Sequence, residues 1–291
     1  MSIQVTSING QPYINGKPVY YGEVFPHRNL LINGGFDVWQ RGNSFTGGGY
    51  YTDRWLCGIT SVVSRGETIA LSGCKYTMDF DGSSSNPYIM QKIENSVQMG
   101  GKTFTLSFWY QKVPREVKVT DGAGNETSHT AIATGNIDNS YTEYAVTFSL
   151  PYVNNAVDGS VSIKIQLSAN VGSVHKIGKA QLEEGSIATP FEQVPIADTL
   201  ARCQRYYESR GYGRTQTYSE TGSHALFEVA YTVPKRISPN VTVVASIRLN
   251  SDDGVTMYKS DGTTASFTAR IIPVTNGMAG SVYSFKADAE L

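Results

Sequence analysis

Cysteine is scarce in this chain of 291 residues: Cys57, Cys74 and Cys203 are an odd number and lack CxxC spacing. That excludes a disulfide framework and a zinc-knuckle signature. It reads as three small buried apolar side chains, with a single Cys57–Cys74 bridge left open. Charge is scarce too. Charged residues make up 17% of the chain, against about 25% in an average soluble domain, and 24 basic against 25 acidic residues leave a net charge of −1. Binding nucleic acid through phosphate neutralisation needs a basic excess, so that class of partner is set aside. No apolar run approaches the ~20 residues of a membrane span, and Met1-Ser2-Ile3-Gln4 lacks the basic-then-apolar form of a signal peptide. The expectation is a soluble chain made in the cytoplasm, without membrane insertion.

What is abundant is glycine, at 29 residues, and tyrosine, at 18. Tyrosine, threonine and valine fit a pleated, half-buried surface, and glycine and asparagine make its turns, so the composition predicts an all-β protein. Phe104, Leu106, Phe108 and Tyr110 alternate with Thr103, Thr105, Ser107 and Trp109. The same period of two returns in Tyr144, Val146 and Phe148 and in Val161, Ile163, Ile165 and Leu167. Turn clusters such as 81–87 and 121–125 separate these runs. Many short strands with regular turns predict an antiparallel jelly-roll sandwich over residues 29–195.

The flanks differ from this centre. In residues 1–28, Ile8-Asn9-Gly10-Gln11-Pro12 recurs as Ile14-Asn15-Gly16-Lys17-Pro18, two hairpin-turn signals in a segment too short for a core. Each proline removes a donor and predicts an edge strand. The segment reads either as an extended attachment arm that docks on a neighbour or as a frayed tail. After Pro195, Leu200, Cys203, Tyr206 and Tyr207 follow helical spacing and predict a helix over Ile196–Arg210, within a helical linker 196–221. Residues 222–291 return to strands and predict a second small β-sandwich. Its two-sided apolar character at Val241–Ile247, where Val244 joins the opposite face, predicts a homo-oligomer, a trimer above others.

No catalytic constellation can be assembled. His27, His129, His175 and His224 are scattered without ligand spacing, and there is no GxSxG elbow and no Walker loop. Asp79, Asp81, Glu94, Glu143 and Asp252-Asp253 supply carboxylates, as almost any chain of this size does, without marking a glycosidase pair. The expectation is a protein that is not an enzyme. Asp79, Asp81 and Ser83 alternate as in a calcium loop, but Met90 stands where an EF-hand needs a glutamate, so no metal or cofactor is assigned. Carbohydrate recognition has more behind it, because sugar C–H patches stack on rings while hydroxyls need polar partners. Trp109 falls on the polar side of its strand with Ser107 and Gln111, and predicts a ring platform or a surface under a loop or neighbouring subunit. Tyr50 and Tyr51 are weaker candidates of the same kind, as are Tyr212 and Tyr218.

Three stretches carry a resemblance. Asn29–Gly42 with Thr52-Asp53-Arg54-Trp55, then Ile177–Ser186 with Ala188–Glu192, then Cys203-Gln204-Arg205-Tyr206-Tyr207 with a closing Asp288-Ala289-Glu290-Leu291, resemble a domain of bacteriophage and prophage tail-fibre-type structural proteins. The resemblance covers about residues 29–210 and the last strand. It implies a jelly-roll similar to carbohydrate-binding modules, in which a structural calcium is often held, followed by a small β domain in an oligomeric virion protein. On the residues themselves, Asn33-Gly34-Gly35 predicts a turn sending Phe36, Val38 and Gln40 to one face and Asp37 and Trp39 to the other. Trp39 and Trp55 read as packed aromatics. Asp53 beside Arg54 reads as a loop fixed by carboxylate and guanidinium. Glu183 points inward and needs a partner, for which Arg54 is the expectation. The functional reading is a non-enzymatic phage fibre or spike-like component, attached to other virion proteins through residues 1–28 and contacting host surface glycans. A receptor-recognition adhesin and a glycan depolymerase remain the alternatives.

Overall fold

Phe104, Leu106, Phe108 and Tyr110 are each no more than 1% exposed, and they line the inner side of the strand Thr103–Tyr110. That strand is central to the computed structural model of the chain, which describes residues 5–8, 11–14, 17–18, 27–58, 62–67, 74–81, 86–94, 96–136, 141–152, 159–168, 174–221, 225–249, 256–257 and 263–290. A seven-stranded antiparallel sheet runs in the order Ile132–Asn136, Thr142–Ser149, Thr103–Tyr110, Val174–Glu184, Tyr76–Asp81, Val62–Glu67, Ser44–Thr46. A six-stranded sheet runs Glu126–His129, Glu116–Thr120, Ser160–Gln166, Tyr88–Glu94, Leu56–Cys57, Gly49–Tyr50. The chain passes repeatedly from one sheet to the other, as a jelly-roll does. Between them lies one apolar core that includes Trp55, Phe80, Ile89, Val119, Phe148, Ile163 and Leu182.

The second unit is built from two three-stranded sheets. One is ordered Tyr207–Ser219, Gly277–Asp288, Asn240–Leu249, the other Ala225–Ala230, Ser266–Ile271, Thr256–Met257. Val229, Tyr231, Phe267, Ile271, Tyr283 and Phe285 fill its core. The protein is therefore all-β, with a short helix between two sandwich-like units. That helix, Ile196–Gln204, is shorter than the spacing predicted. Tyr206 and Tyr207 follow helical spacing, yet Tyr207–Ser219 pairs along Gly277–Asp288 from Tyr207↔Asp288 to Ser219↔Gly277. Long-range strand pairing overrode the local pattern. The side chains of Val244 and Ile247 lie outside the described residues.

At the other end, Val5–Ile8, Gln11–Ile14 and Lys17–Pro18 form a small sheet, with Ile8↔Gln11 and Ile14↔Lys17 closing two-residue connections at the two Asn-Gly pairs. Pro18 sits in an edge strand, but Pro12 sits in the middle one. It stands opposite Ser7, so strand pairing here holds a residue without a donor away from the edge.

The motifs of the central resemblance meet in one place. The Asn33 amide faces Val38 O, Thr52 Oγ1 and Asp53 O at 3.0–3.1 Å and accepts from Val38 N, while Asn33 O accepts from Trp55 Nε1 at 3.1 Å. Residues 36–39 form no strand, so the two-face expectation for this run does not hold: Phe36, Val38 and Trp39 are all buried. Asn29 ties the same loop to the closing strand, donating to Ala180 O and accepting from Leu182 N. Gly34 makes that approach feasible, because a Cβ there would stand 2.0 Å from Ala180 O.

Asp53 and Arg54 do not hold each other. Asp53 accepts from Gln40 N at 2.7 Å and Gln40 Nε2 at 2.9 Å, and faces Arg41 at 3.6 Å. Arg54, at a left-handed φ of 74°, turns its guanidinium away to Lys92 O, Glu290 and the ring of Tyr206. Glu183 is buried as expected of an inward carboxylate, but its partners are Thr189 N and Oγ1, Gln181 Nε2 and Arg28, not Arg54. The guanidinium expected there is committed to the contact between the two units.

Candidate functional site

Threonines on the outer side of the seven-stranded sheet form a row of hydroxyls. Thr103 pairs with Ser149 at 2.9 Å and Thr105 with Thr147 at 3.0 Å across neighbouring strands. The chain returns over this face after Glu184, and Gly185 O accepts from Thr105 Oγ1. Thr105 and Ser107 are consequently buried, at 1% and 4% exposure, on a side that alternation alone predicts to be open. Beside this strap lies an open groove of about 1,260 Å³, walled by Trp109, Glu143, Lys179, Ile187, Thr189 and Phe191 and continued by Thr134 and His129.

Trp109 is half-buried, not a free platform. Its Nε1 donates to Glu143 Oε1 at 3.3 Å, and Lys179 Nζ stands 4.0 Å from its ring centroid, a cation–π distance. The indole also packs, with Phe191, against buried Cys74 and Tyr141. Glu143 is further fixed by Thr134 Oγ1 at 3.2 Å. Lys179 is 8% exposed and takes a φ of 49°, a left-handed residue in the middle of the strand Val174–Glu184 where the register with Thr103–Tyr110 shifts. That irregularity sits beside Trp109 and helps aim the ammonium at its ring.

The other ring candidates are elsewhere. Gln111 lies past the end of the strand, its N donating to Lys176 O, and does not wall the groove. Ser107 is under the strap. Tyr50 is in the six-stranded sheet near Arg41, where burial, with the Glu290 charge adding to it, pushes its hydroxyl up to about 12. Tyr51 stacks on Phe45 at 4.4 Å and donates to Thr46 O. Tyr218 is 83% exposed in the second unit, and the Tyr212 side chain lies outside the described residues. The groove residues that pattern-reading missed, Lys179, Glu143 and Phe191, come from three separate stretches. Of the three, only Glu143 stands in register opposite Trp109; Lys179 falls in the register shift of its strand and Phe191 lies outside any strand.

Among the described residues, no group of three or more histidine, cysteine, aspartate or glutamate side chains could hold a metal ion. Asp79 lies within the strand Tyr76–Asp81, and its carboxylate takes Lys176 Nζ at 2.6 Å and Thr77 Oγ1 at 2.6 Å. Residues 82–85 lie outside the described residues. The three thiols are free and buried, which answers the bridge left open between Cys57 and Cys74. Burial pushes the Cys57 thiol up to about 12 and that of Cys74 up to about 11, which keeps both protonated and inert. No helix among the described residues is long and apolar enough to cross a membrane.

No family model and no curated protein matches the chain. Solved structures with a similar arrangement include the tailspike protein 4 enzymatically active domain of Bacteriophage CBA120, 19% identical over 55% of this chain and 22% of that one, with a TM-score of 0.38. They also include TmCBM61 in complex with beta-1,4-galactotriose, 17% identical over 55% of this chain and all of that one, TM-score 0.35. A putative sugar binding protein from Bacteroides thetaiotaomicron is 14% identical over 54% of this chain and 100% of that one, TM-score 0.34. The chain thus spans about a fifth of the tailspike chain. At these scores the likenesses carry no functional argument.

Proposed function

We propose that this chain is a non-enzymatic component of a phage particle, a fibre or spike-like appendage, whose central sandwich contacts host surface glycans in the groove at Trp109. One observation carries the glycan part: an aromatic wall of Trp109 and Phe191 beside a floor of threonine hydroxyls, with a carboxylate and an ammonium fixed at the indole. Rings suit the C–H faces of a sugar, and the hydroxyl row, Glu143 and Lys179 suit its hydroxyls. Glu143 is the single carboxylate of the groove's lining among the described residues, whereas glycoside hydrolysis uses two, about 5–10 Å apart. That supports binding over cleavage. The phage assignment rests on the sequence resemblance, and with it the roles of residues 1–28 in joining other virion proteins and of the second unit in forming a homo-oligomer.

The test is an array of bacterial surface glycans probed with the intact chain and with Trp109→Ala, alongside electron microscopy of particles carrying a label on this protein. The expected result is retention of a glycan without release of reducing ends, a several-fold loss in the variant, and label on an appendage. Binding unchanged by Trp109→Ala removes the groove. Released reducing ends make the protein a depolymerase, and label absent from particles removes the structural role.

A further inference from the structure

Behind the wall made by Phe191 and Gln193, which also line the groove, lies a second cavity of about 330 Å³. It falls within the ~300–1,000 Å³ usual for small-ligand sites. It opens between the Asn29–Asp37 loop and the start of the helix Ile196–Gln204, and its floor is the bare backbone of Gly34 and Gly35. Two charged groups on its lining are poorly occupied. Among the described residues the Asp37 carboxylate accepts no hydrogen bond; burial raises it above the usual carboxylate range, and the Lys75 charge only partly offsets this. The Arg202 guanidinium, half-buried and lowered by that burial, makes one long hydrogen bond, 3.5 Å to Asn29 O, and feels the charge of the Glu192 carboxylate on the same lining. Half-buried ions with so few partners are costly unless something else completes them.

We infer that this cavity is a subsite for one neutral monosaccharide unit, the end of the glycan whose body lies in the Trp109 groove, held between Asp37 and Arg202 with its apolar face toward Phe191. The inference rests on the glycan reading of the groove for the rest of the chain, while the ligand chemistry comes from the cavity. Neighbouring hydroxyls of a sugar are both donor and acceptor, so one gives its proton to the Asp37 carboxylate while another accepts from the five-donor fork of Arg202. A free anion gains at Arg202 but meets the carboxylates of Asp37 and Glu192 on the same lining, and a free cation meets the guanidinium. A neutral polyol uses both. Phe191 supplies the ring: its Cζ stands 3.7 Å from where a Cβ on Gly35 would lie, so the aromatic edge borders the glycine backbone of the same lining.

The test is ligand-observed saturation-transfer NMR with free galactose, glucose, mannose, rhamnose and N-acetylglucosamine on the intact chain and on Asp37→Asn, Arg202→Met and Trp109→Ala, each first shown to melt cooperatively. Expected is saturation transfer to at least one sugar from the intact chain and from Trp109→Ala, weakened about ten-fold in Asp37→Asn and Arg202→Met, the scale of losing a charged hydrogen bond. Arg202→Met keeps the side-chain stem and removes a single long bond, so it serves where Asp37→Asn fails to fold. Transfer to none of the sugars, transfer indifferent to both substitutions, or displacement of the sugar by inorganic phosphate overturns the subsite. Oligosaccharide binding indifferent to Trp109→Ala, with monosaccharide transfer still dependent on Arg202, removes the groove and leaves the subsite standing.

Discussion

The carboxylate of Glu290 is hydrogen-bonded to the guanidinium of Arg54, 236 positions earlier in the chain, with side chains 5% and 1% exposed. Beneath the pair, Arg54 lies 3.5 Å from the ring centroid of Tyr206, and the neighbouring Arg41 repeats the arrangement over Tyr207 at 3.5 Å while facing Asp288 at 3.2 Å. Two guanidinium planes thus grip two consecutive tyrosines and two acidic residues, Asp288 at the end of the last strand and Glu290 just beyond it. Glu290→Ala leaves Arg54 buried without its counter-charge and is expected to cost about 3–5 kcal/mol. Urea unfolding measures it, and a loss under about 1 kcal/mol, the value of an exposed pair, shows the contact to be peripheral.

The same junction predicts a dependence on pH. Burial, against hydrogen bonds from Gln40 and the charge of Arg41, pushes Asp53 from 3.8 up to about 6. A carboxyl that is easier to protonate when folded adds stability below its unfolded value, and that gain is lost as pH rises through about 6. The stability difference between the wild type and Asp53→Asn is therefore expected to fall by about 2 kcal/mol from about pH 4 to about pH 6. Glu208 behaves in the opposite sense: burial opposes its ionisation, but bonds from Lys235 and Thr232 outweigh it and hold the group below 4.5. Its contribution is present above that value and is lost on further acidification. Melting curves across this range for both proteins check the sign, and parallel profiles refute the Asp53 account.

Gly34→Ala is expected to destabilise by about 1–3 kcal/mol, because the added carbon meets a backbone oxygen that cannot rotate away. Gly135→Ala, where a Cβ meets nothing within 4 Å, is expected to stay within about 0.5 kcal/mol of the wild type. Equal midpoints for the two variants would show that the loop–strand contact relaxes freely.

Trp109→Ala removes a half-buried ring and is expected to cost about 1–3 kcal/mol, below the 3–5 typical of a core aromatic. A loss in the full core range, with glycan retention unchanged, makes Trp109 a packing residue.

Self-association is expected in the second unit, where Tyr218 and Met278 are cross-strand partners 83% and 56% exposed. Light scattering at micromolar concentration is expected to exceed the 31.7 kDa of one chain, and a mass equal to it removes the oligomer.

Strands could be read from the sequence wherever one face is buried, as in Thr142–Ser149, whose inward Tyr144, Val146 and Phe148 alternate with exposed Thr147 and Ser149. The Asn-Gly hairpins could be read because their geometry is local. What could not be read lies at long range. Thr105 and Ser107 are polar yet buried, since a strap from 80 residues later covers them. Tyr206 and Tyr207 follow helical spacing in the sequence, yet in the structure both lie under arginines of the first unit, a contact that local spacing does not reveal. Arg54 was matched with the wrong carboxylate because a sequence lists every acid and orders none of them in space.

The junction also closes a circuit. The second unit enters at Tyr206 and leaves at Ala289, whose N donates to Tyr206 O at 2.7 Å, so its first and last backbone segments are fastened at one point. A unit rooted at both ends cannot peel away from its last strand one residue at a time. The stacked guanidinium and tyrosine planes stand at that same waist, where the ladder between Tyr207–Ser219 and Gly277–Asp288 begins, so the fastening of the ends and the grip of the arginines act on one spot.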